Sequence, residues 1–317
     1  MKKRPSLLFC YGSIAVGLFL GSLMAPLLRF TLAHDWGLRV ENILFYRMLF
    51  ASLFLWTFCL FSKNTRPHIK RIFADRRTLV FLSVIGLSRA AELLLWSVAL
   101  RDTNVFVVNI LGNSTPVFIL LGTYLVYRQK TSSRALIGIA VCMGGLCLTG
   151  LSGGAGGASL ESVLQMTGTA VLQTVFLLLS QPLRSGDEPL PATLMMAFVF
   201  SIAAVCSLGL CAVRSVPIAP FPWQGWGMLV AMTLLCTIYH QTVPTWTLQF
   251  LKPENVSMLN LAGPVVAAVT AFFLLGEVPN LQTVCGGIIV LTGLGWYIRQ
   301  DAKAKRAQMS CPPQDQQ

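Results

Sequence analysis

Polar and charged residues in this chain gather into short clusters, and between them run apolar stretches of about 20 residues, the length a helix needs to cross a hydrocarbon layer. Such windows lie at 7–28, 41–62, 79–100, 104–126, 135–152, 162–183, 191–213, 226–249, 253–275 and 281–298. They lack the strict two-residue alternation of a barrel strand. Because backbone groups in lipid must find their hydrogen bonds within the segment, the windows predict helices, about ten of them.

The pattern repeats. A shift of 148 positions lays Pro116-Val117 on Pro264-Val265, Gly138 on Gly286 and Gly145-Leu146 on Gly293-Leu294, with no gap from Leu100/Leu248 onward. Two units follow, at 7–152 and 162–298, joined by a Gly-rich linker at 153–161 and followed by a basic tail at 299–317. Each unit holds about five spans, an odd number, so the second must sit upside down relative to the first. The predicted fold is an all-α membrane protein of two inverted five-helix repeats.

Composition agrees with a bilayer setting. Of the 317 residues, 55% are apolar and 11% charged, with a mean hydropathy of +0.67, whereas a soluble domain carries roughly 25% charge. The net charge of +12 follows from topology. With the N-terminus in the cytoplasm, 18 of the 24 Lys and Arg residues fall on that side, in clusters such as Lys2-Lys3-Arg4, Lys63 to Arg77 and Arg299 to Arg306. Only Arg29, Arg39, Arg101 and Arg214 fall outside. This is the positive-inside asymmetry, and it accounts for the basic balance without a nucleic-acid partner. The expected location is the inner (plasma) membrane, multi-pass, with both termini cytoplasmic.

Several other readings are set aside. The run from Leu7 to Leu28 is too long for a signal-peptide core of about 7–15 residues. The cysteines show no metal-ligand spacing and read as packing residues. Segment 150–157 is Gly-rich but lacks the Lys-Ser/Thr of a phosphate loop, so no nucleotide, metal or other cofactor is expected. Asn113 and Asn255 open formal glycosylation sequons, but neither is predicted in an exposed loop.

The residues Phe45 to Ala51 with Arg47 four before Ala51, then Ala99-Leu100, Pro116 and Gly138, and in the second half Leu248, Pro264, Leu275-Gly276-Glu277, Gly286 and Gly293, resemble the EamA family of the drug/metabolite transporter superfamily. The Gly-Glu that follows the fourth helix in that family stands as Gly276-Glu277 in one half and is replaced by Arg128-Gln129 in the other. The resemblance implies a polytopic inner-membrane carrier, often an exporter of amino acids or other small metabolites.

An ionisable side chain inside a span costs about 2.5–3.5 kcal/mol on insertion scales, so each one marks a candidate site. Arg89 and Glu92 lie three residues apart on the third span and share a face, with Trp96 one turn beyond. They form either a self-neutralising structural pair or a site in which Arg89 holds a carboxylate while Glu92 takes an ammonium group or a proton. Arg47 on the second span either contributes to the site or snorkels outward. His240, beside Tyr239 and ahead of Pro244, either bonds a neighbouring helix or faces a cavity and takes part in a proton-coupled step. Asn109 and Asn113 on the fourth span share a face and either line the cavity or pack. Gln165, Gln173 and Tyr11 are weaker candidates. The paired glycines supply scaffold or the surface of a homodimer, and the chemistry is expected where the halves differ, with Arg89 opposite Gly or apolar positions and His240 without a charged counterpart.

The partners implied are a small-molecule substrate and the bilayer, and the expected function is secondary transport without enzymatic activity. A non-transporting receptor or accessory subunit and a multispan membrane enzyme remain as alternatives. The enzyme would need a catalytic cluster, and the three histidines, His34, His68 and His240, fall on different elements.

Overall fold

The computed structural model describes residues 5–310 apart from 35, 64, 103–113, 129–132, 152–159, 186–187, 219–220, 264, 267–268, 270–272 and 274–280. Every regular element among the described residues is helical. In chain order they are α1 (Leu7–Ser22), α2 (Met24–Ala33), α3 (Val40–Phe61), α4 (Arg66–Ala74), α5 (Arg76–Asp102), α6 (Thr115–Tyr127) and α7 (Ser133–Leu151). The remainder are α8 (Leu160–Arg184), α9 (Ala192–Val213), α10 (Trp223–Ala231), a π-helical segment Met232–Tyr239, α11 (His240–Thr247), α12 (Pro253–Asn260) and α13 (Leu281–Ser310). The stretches Val40–Phe61, Arg76–Trp96, Leu164–Arg184 and Ala192–Val213 are each long and apolar enough to cross a membrane.

Three windows differ in detail from the sequence expectation. The first span is broken at Leu23 into α1 and α2, with Pro26 in the first turn of α2, where a missing amide is tolerated. The eighth span is not one continuous α-helix either. It passes from α10 through the wider π segment into α11, which carries Pro244. The third span runs longer than expected, and its start is well defined: Asp75 accepts hydrogen bonds from the Arg77 and Thr78 amides at 3.1 and 3.3 Å.

Neighbouring helices pack by small residues and by polar pairs. Helices α7 and α13 meet at glycines on both sides. A Cβ on Gly145 would stand 2.7 Å from the Gly286 carbonyl, and one on Gly293 3.0 Å from the Gly138 carbonyl. These two contacts map onto each other under the 148-residue shift, and between them the Cys142 thiol meets the Val290 carbonyl at 3.4 Å. Cys142 and Val290 are themselves equivalent positions, so the pseudo-two-fold axis passes between them. Rising numbers on one helix meet falling numbers on the other, which makes the fifth and tenth spans antiparallel, as inversion demands.

Other pairs follow the same alternation. Helices α3 and α9 are antiparallel, with Glu41 bonded to Arg214 at 3.0 Å near one end and Ser52 to Ser201 at 2.8 Å in the middle. On α6 and α8 the order runs in the same direction, from Thr115 against Gln173 to Gly122 against Leu178. Large apolar side chains such as Phe54, Phe58 and Val205 face outward, as they do on helices bathed in lipid rather than water. Inside, Met195, Met196 and Phe200 of α9 form the centre of the core.

Candidate functional site

Most of the buried polar side chains that the sequence singled out lie on the third and eighth spans, with Arg47 reaching them from the second. On α5, Arg89 and Glu92 are both buried and bonded to each other through the guanidinium Nη1 and Glu92 Oε2. The guanidinium also stands 5.1 Å from the centre of the Phe176 ring on α8, a favourable placement for a cation in a dry site. Its Nε is buried without a hydrogen-bond partner. One N–H of the fork is therefore left for another acceptor, and such a buried donor costs about 1–3 kcal/mol until it finds one. Trp96 is half-buried one turn further along.

On the eighth span, the His240 Nδ1 stands 2.9 Å from the Gly17 carbonyl of α1. A carbonyl only accepts, so Nδ1 carries the proton in this bond. That leaves Nε2 as the ring atom able to gain or pass on a proton. Gly17 and Gly21, one turn apart on α1, form the notch that admits the ring: a Cβ at Gly21 would stand 2.5 Å from His240 Nδ1. Tyr239 packs on Gly17 beside it. Arg47 of α3 is buried, and its Nε and Nη2 both donate to the Thr237 hydroxyl of the π segment, at 3.1 and 2.8 Å. The structure thus brings Arg47, Tyr239 and His240 together where the eighth span meets α1 and α3, and pairs Arg89 with Glu92 on α5 against α8, whereas Asn109 and Asn113 lie outside the described residues.

The expectation that the chemistry lacks counterparts across the repeat is corrected. Continued backward from Leu100/Leu248, the 148-residue shift lays Glu92 on His240 and Arg89 on Thr237. The two protonatable groups are equivalent in position and opposite in chemical character. What differs is the partner: Glu92 pairs within its own helix, while His240 reaches another.

Sequence reasoning missed several participants. Gln241 Oε1 and Thr242 Oγ1, next to His240, are buried and unpartnered. Arg184, read only as a topological charge at the end of the sixth span, is 2% exposed. Its guanidinium donates to the carbonyls of Leu190, Thr245 and Trp246 and to Gln249 Oε1, tying the end of α8 to the end of α11. Gly17 and Gly21 were legible as a small-residue pair at helical spacing. Of the weaker candidates, Gln173 accepts from Thr115 at 2.6 Å and Gln165 donates to Glu161 at 3.0 Å, both packing contacts between neighbours.

Two helical units with a glycine-lined crossing on the pseudo-axis and buried charges near the middle of equivalent spans define a polytopic membrane transporter. The chain belongs to the EamA-like transporter family, part of the drug/metabolite transporter superfamily: the family's model matches it twice, over residues 8–151 and 163–299. An uncharacterized transporter of Archaeoglobus fulgidus is 24% identical over 260 residues, which cover 80% of this chain and 86% of the relative. A solved crystal structure with 14% identity superposes with a TM-score of 0.72 over 94% of this chain and 99% of its own, a likeness of fold.

Proposed function

We propose that this transporter is a secondary carrier that exports a small amphipathic metabolite, such as an amino acid or a related compound bearing both a carboxylate and an amine. The two halves rock about the bilayer midplane and expose the site to each side in turn. The carrying observation is the buried Arg89 fork, which keeps one N–H unpartnered while Glu92 occupies the other side of the guanidinium. A substrate carboxylate satisfies that donor. Its ammonium group competes for Glu92, so binding exchanges an internal ion pair for two external ones without leaving a charge alone. Trp96 gives the apolar part of the substrate a flat surface, and Arg47, Tyr239 and His240 complete the wall. His240, through Nε2, couples the cycle to a proton. The carrier resides in the inner membrane with both termini cytoplasmic, and the scaffold helices α7 and α13 supply the surface of a homodimer.

The test is a comparison of exported metabolites from cells with and without the protein, followed by transport into proteoliposomes under an imposed pH gradient. Arg89→Ala is expected to weaken substrate binding at least tenfold. His240→Ala and Glu92→Gln are expected to abolish the dependence on the gradient. Unchanged substrate affinity in Arg89→Ala would leave the pair as purely structural. Normal transport by Glu92→Gln and His240→Ala at every pH would remove the proton coupling.

A further inference from the structure

We propose that the outward groove between the start of α5 and the end of α8 binds one anionic phospholipid, its phosphate on Arg76 and Arg77 and an acyl chain along Val80, Phe81, Val84 and Leu179. The groove measures about 580 Å³ and is lined by these six residues almost entirely through carbon, so Arg76 and Arg77 line it with their stems while the side chains as a whole remain exposed. On a helix, positions 76, 80 and 84 form one stripe, and the distance from Arg76 to Val84 is about 12 Å. The headgroup layer is only about 5–7 Å thick on each side, so with Arg76 and Arg77 at that level the apolar wall at Val80 and Val84 reaches the depth of the acyl chains.

The charge complementarity is local. Arg76 and Arg77 are exposed, and neither guanidinium is held in a salt bridge among the described residues. The nearest carboxylate in sequence, Asp75, is engaged with the Thr78 hydroxyl and the Arg77 and Thr78 amides. Helix α4, just before it in the chain, also carries Arg66 and Lys70. Cationic pockets between spans on the Lys/Arg-rich side of a membrane protein favour anionic headgroups, at about 1 kcal/mol per cation. The equivalent place in the second half, Gln224 and Gly225 at the start of α10, carries no cation. The site therefore belongs to one half and one leaflet.

The experiment is native mass spectrometry of the full chain in mixed micelles containing phosphatidylglycerol or phosphatidylcholine. The wild type is expected to retain one phosphatidylglycerol through delipidation and to prefer it over phosphatidylcholine. The Arg76→Gln/Arg77→Gln variant loses that preference, by roughly tenfold or more. Val84→Trp fills the apolar part and displaces the retained lipid although both arginines remain. Val205→Trp, on an exposed position of α9, leaves retention unchanged and controls for a general effect of a new indole. Equal retention of both lipids by the wild type, an undiminished preference in the double variant, or normal retention in Val84→Trp would each overturn the proposal.

Discussion

The third and eighth spans are the same element of the repeat, and they solve the problem of carrying polar groups in a membrane in opposite ways. Helix α5 is continuous and keeps its charges to itself, with Arg89 and Glu92 bonded one turn apart. The eighth span is divided into α10, a π segment and α11, and its polar groups bond outward, His240 to Gly17 of α1 and Thr237 with Arg47 of α3. An internal pair of charges lets a helix remain independent of its neighbours. Outward bonds make a helix's position depend on what those neighbours do. The eighth span is thus tied through its polar groups to the first and second spans, whereas the third satisfies its pair of opposite charges within one helix.

The largest effect is expected from releasing the end of the eighth span. Pro244 has no amide to donate and leaves the carbonyl one turn earlier without its helical partner, so α11 is already short of internal bonds. Its last turn is held by Arg184. Arg184→Ala removes four hydrogen bonds from a charged donor, a loss of about 4 kcal/mol or more. Thermal unfolding in detergent, read by the reactivity of the buried Cys59 and Cys142 thiols, measures it. Arg184→Lys restores only part, because an ammonium group cannot span the fork of acceptors. A melting point within a few degrees of wild type in Arg184→Ala would show that α11 does not depend on this clamp.

Arg89→Ala strands a buried Glu92 and should cost about 3 kcal/mol. If the pair is self-contained, Arg89→Ala/Glu92→Gln recovers most of that loss, because no charge is left behind. A double variant as unstable as the single one would mean that the guanidinium is held mainly by other contacts, such as Phe176, and the contrast between the spans would fade.

What the sequence disclosed follows from which interactions are local. The spans, the inversion and the glycine crossing were legible because each depends on a periodic or repeated property of neighbouring residues: long apolar runs, an odd count, and Gly138, Gly145, Gly286 and Gly293 at one shift. The Arg89 and Glu92 pair was legible for the same reason, since three residues of separation fix a shared helix face. Arg184 was not. A terminal arginine facing the cytoplasm and one folded back onto the carbonyls of a helix about 60 residues away look alike in a linear chain. The π segment was hidden too, because Met232 to Tyr239 contains nothing that α-helix propensity disfavours strongly.

A smaller effect is expected where His240 enters its notch. Gly21→Ala places a methyl group 2.5 Å from the present position of His240 Nδ1, so the ring must move away from the Gly17 carbonyl. The cost is about 2 kcal/mol, typical of overpacking. Gly17→Ala meets only ordinary contacts at 3.7 Å and should be nearly neutral in melting temperature. Equal stability of the two variants would show that α1 yields freely, and that the outward bond of His240 places no demand on it.

The smallest effect lies at the starts of the two spans, which differ in the same sense. Asp75 caps α5 with its side chain, whereas α10 begins after Pro222 with no side-chain cap. The Thr78 hydroxyl, followed by the amides of Arg77 and Thr78 and the charge of Arg77, holds the Asp75 carboxyl below the usual carboxylate range. A carboxyl whose value is depressed on folding adds stability that is complete above its unfolded value and is lost as pH falls through the folded one. The wild type should therefore melt slightly above Asp75→Asn at neutral pH, and the gap should close as the pH falls below the ordinary carboxylate range. Because water screens this exposed cap, the gap is expected to be the least of those considered. A gap that stayed constant down to low pH would mean that the capping bonds matter through their geometry and not through the charge, and would place the start of the third span on the same footing as that of the eighth.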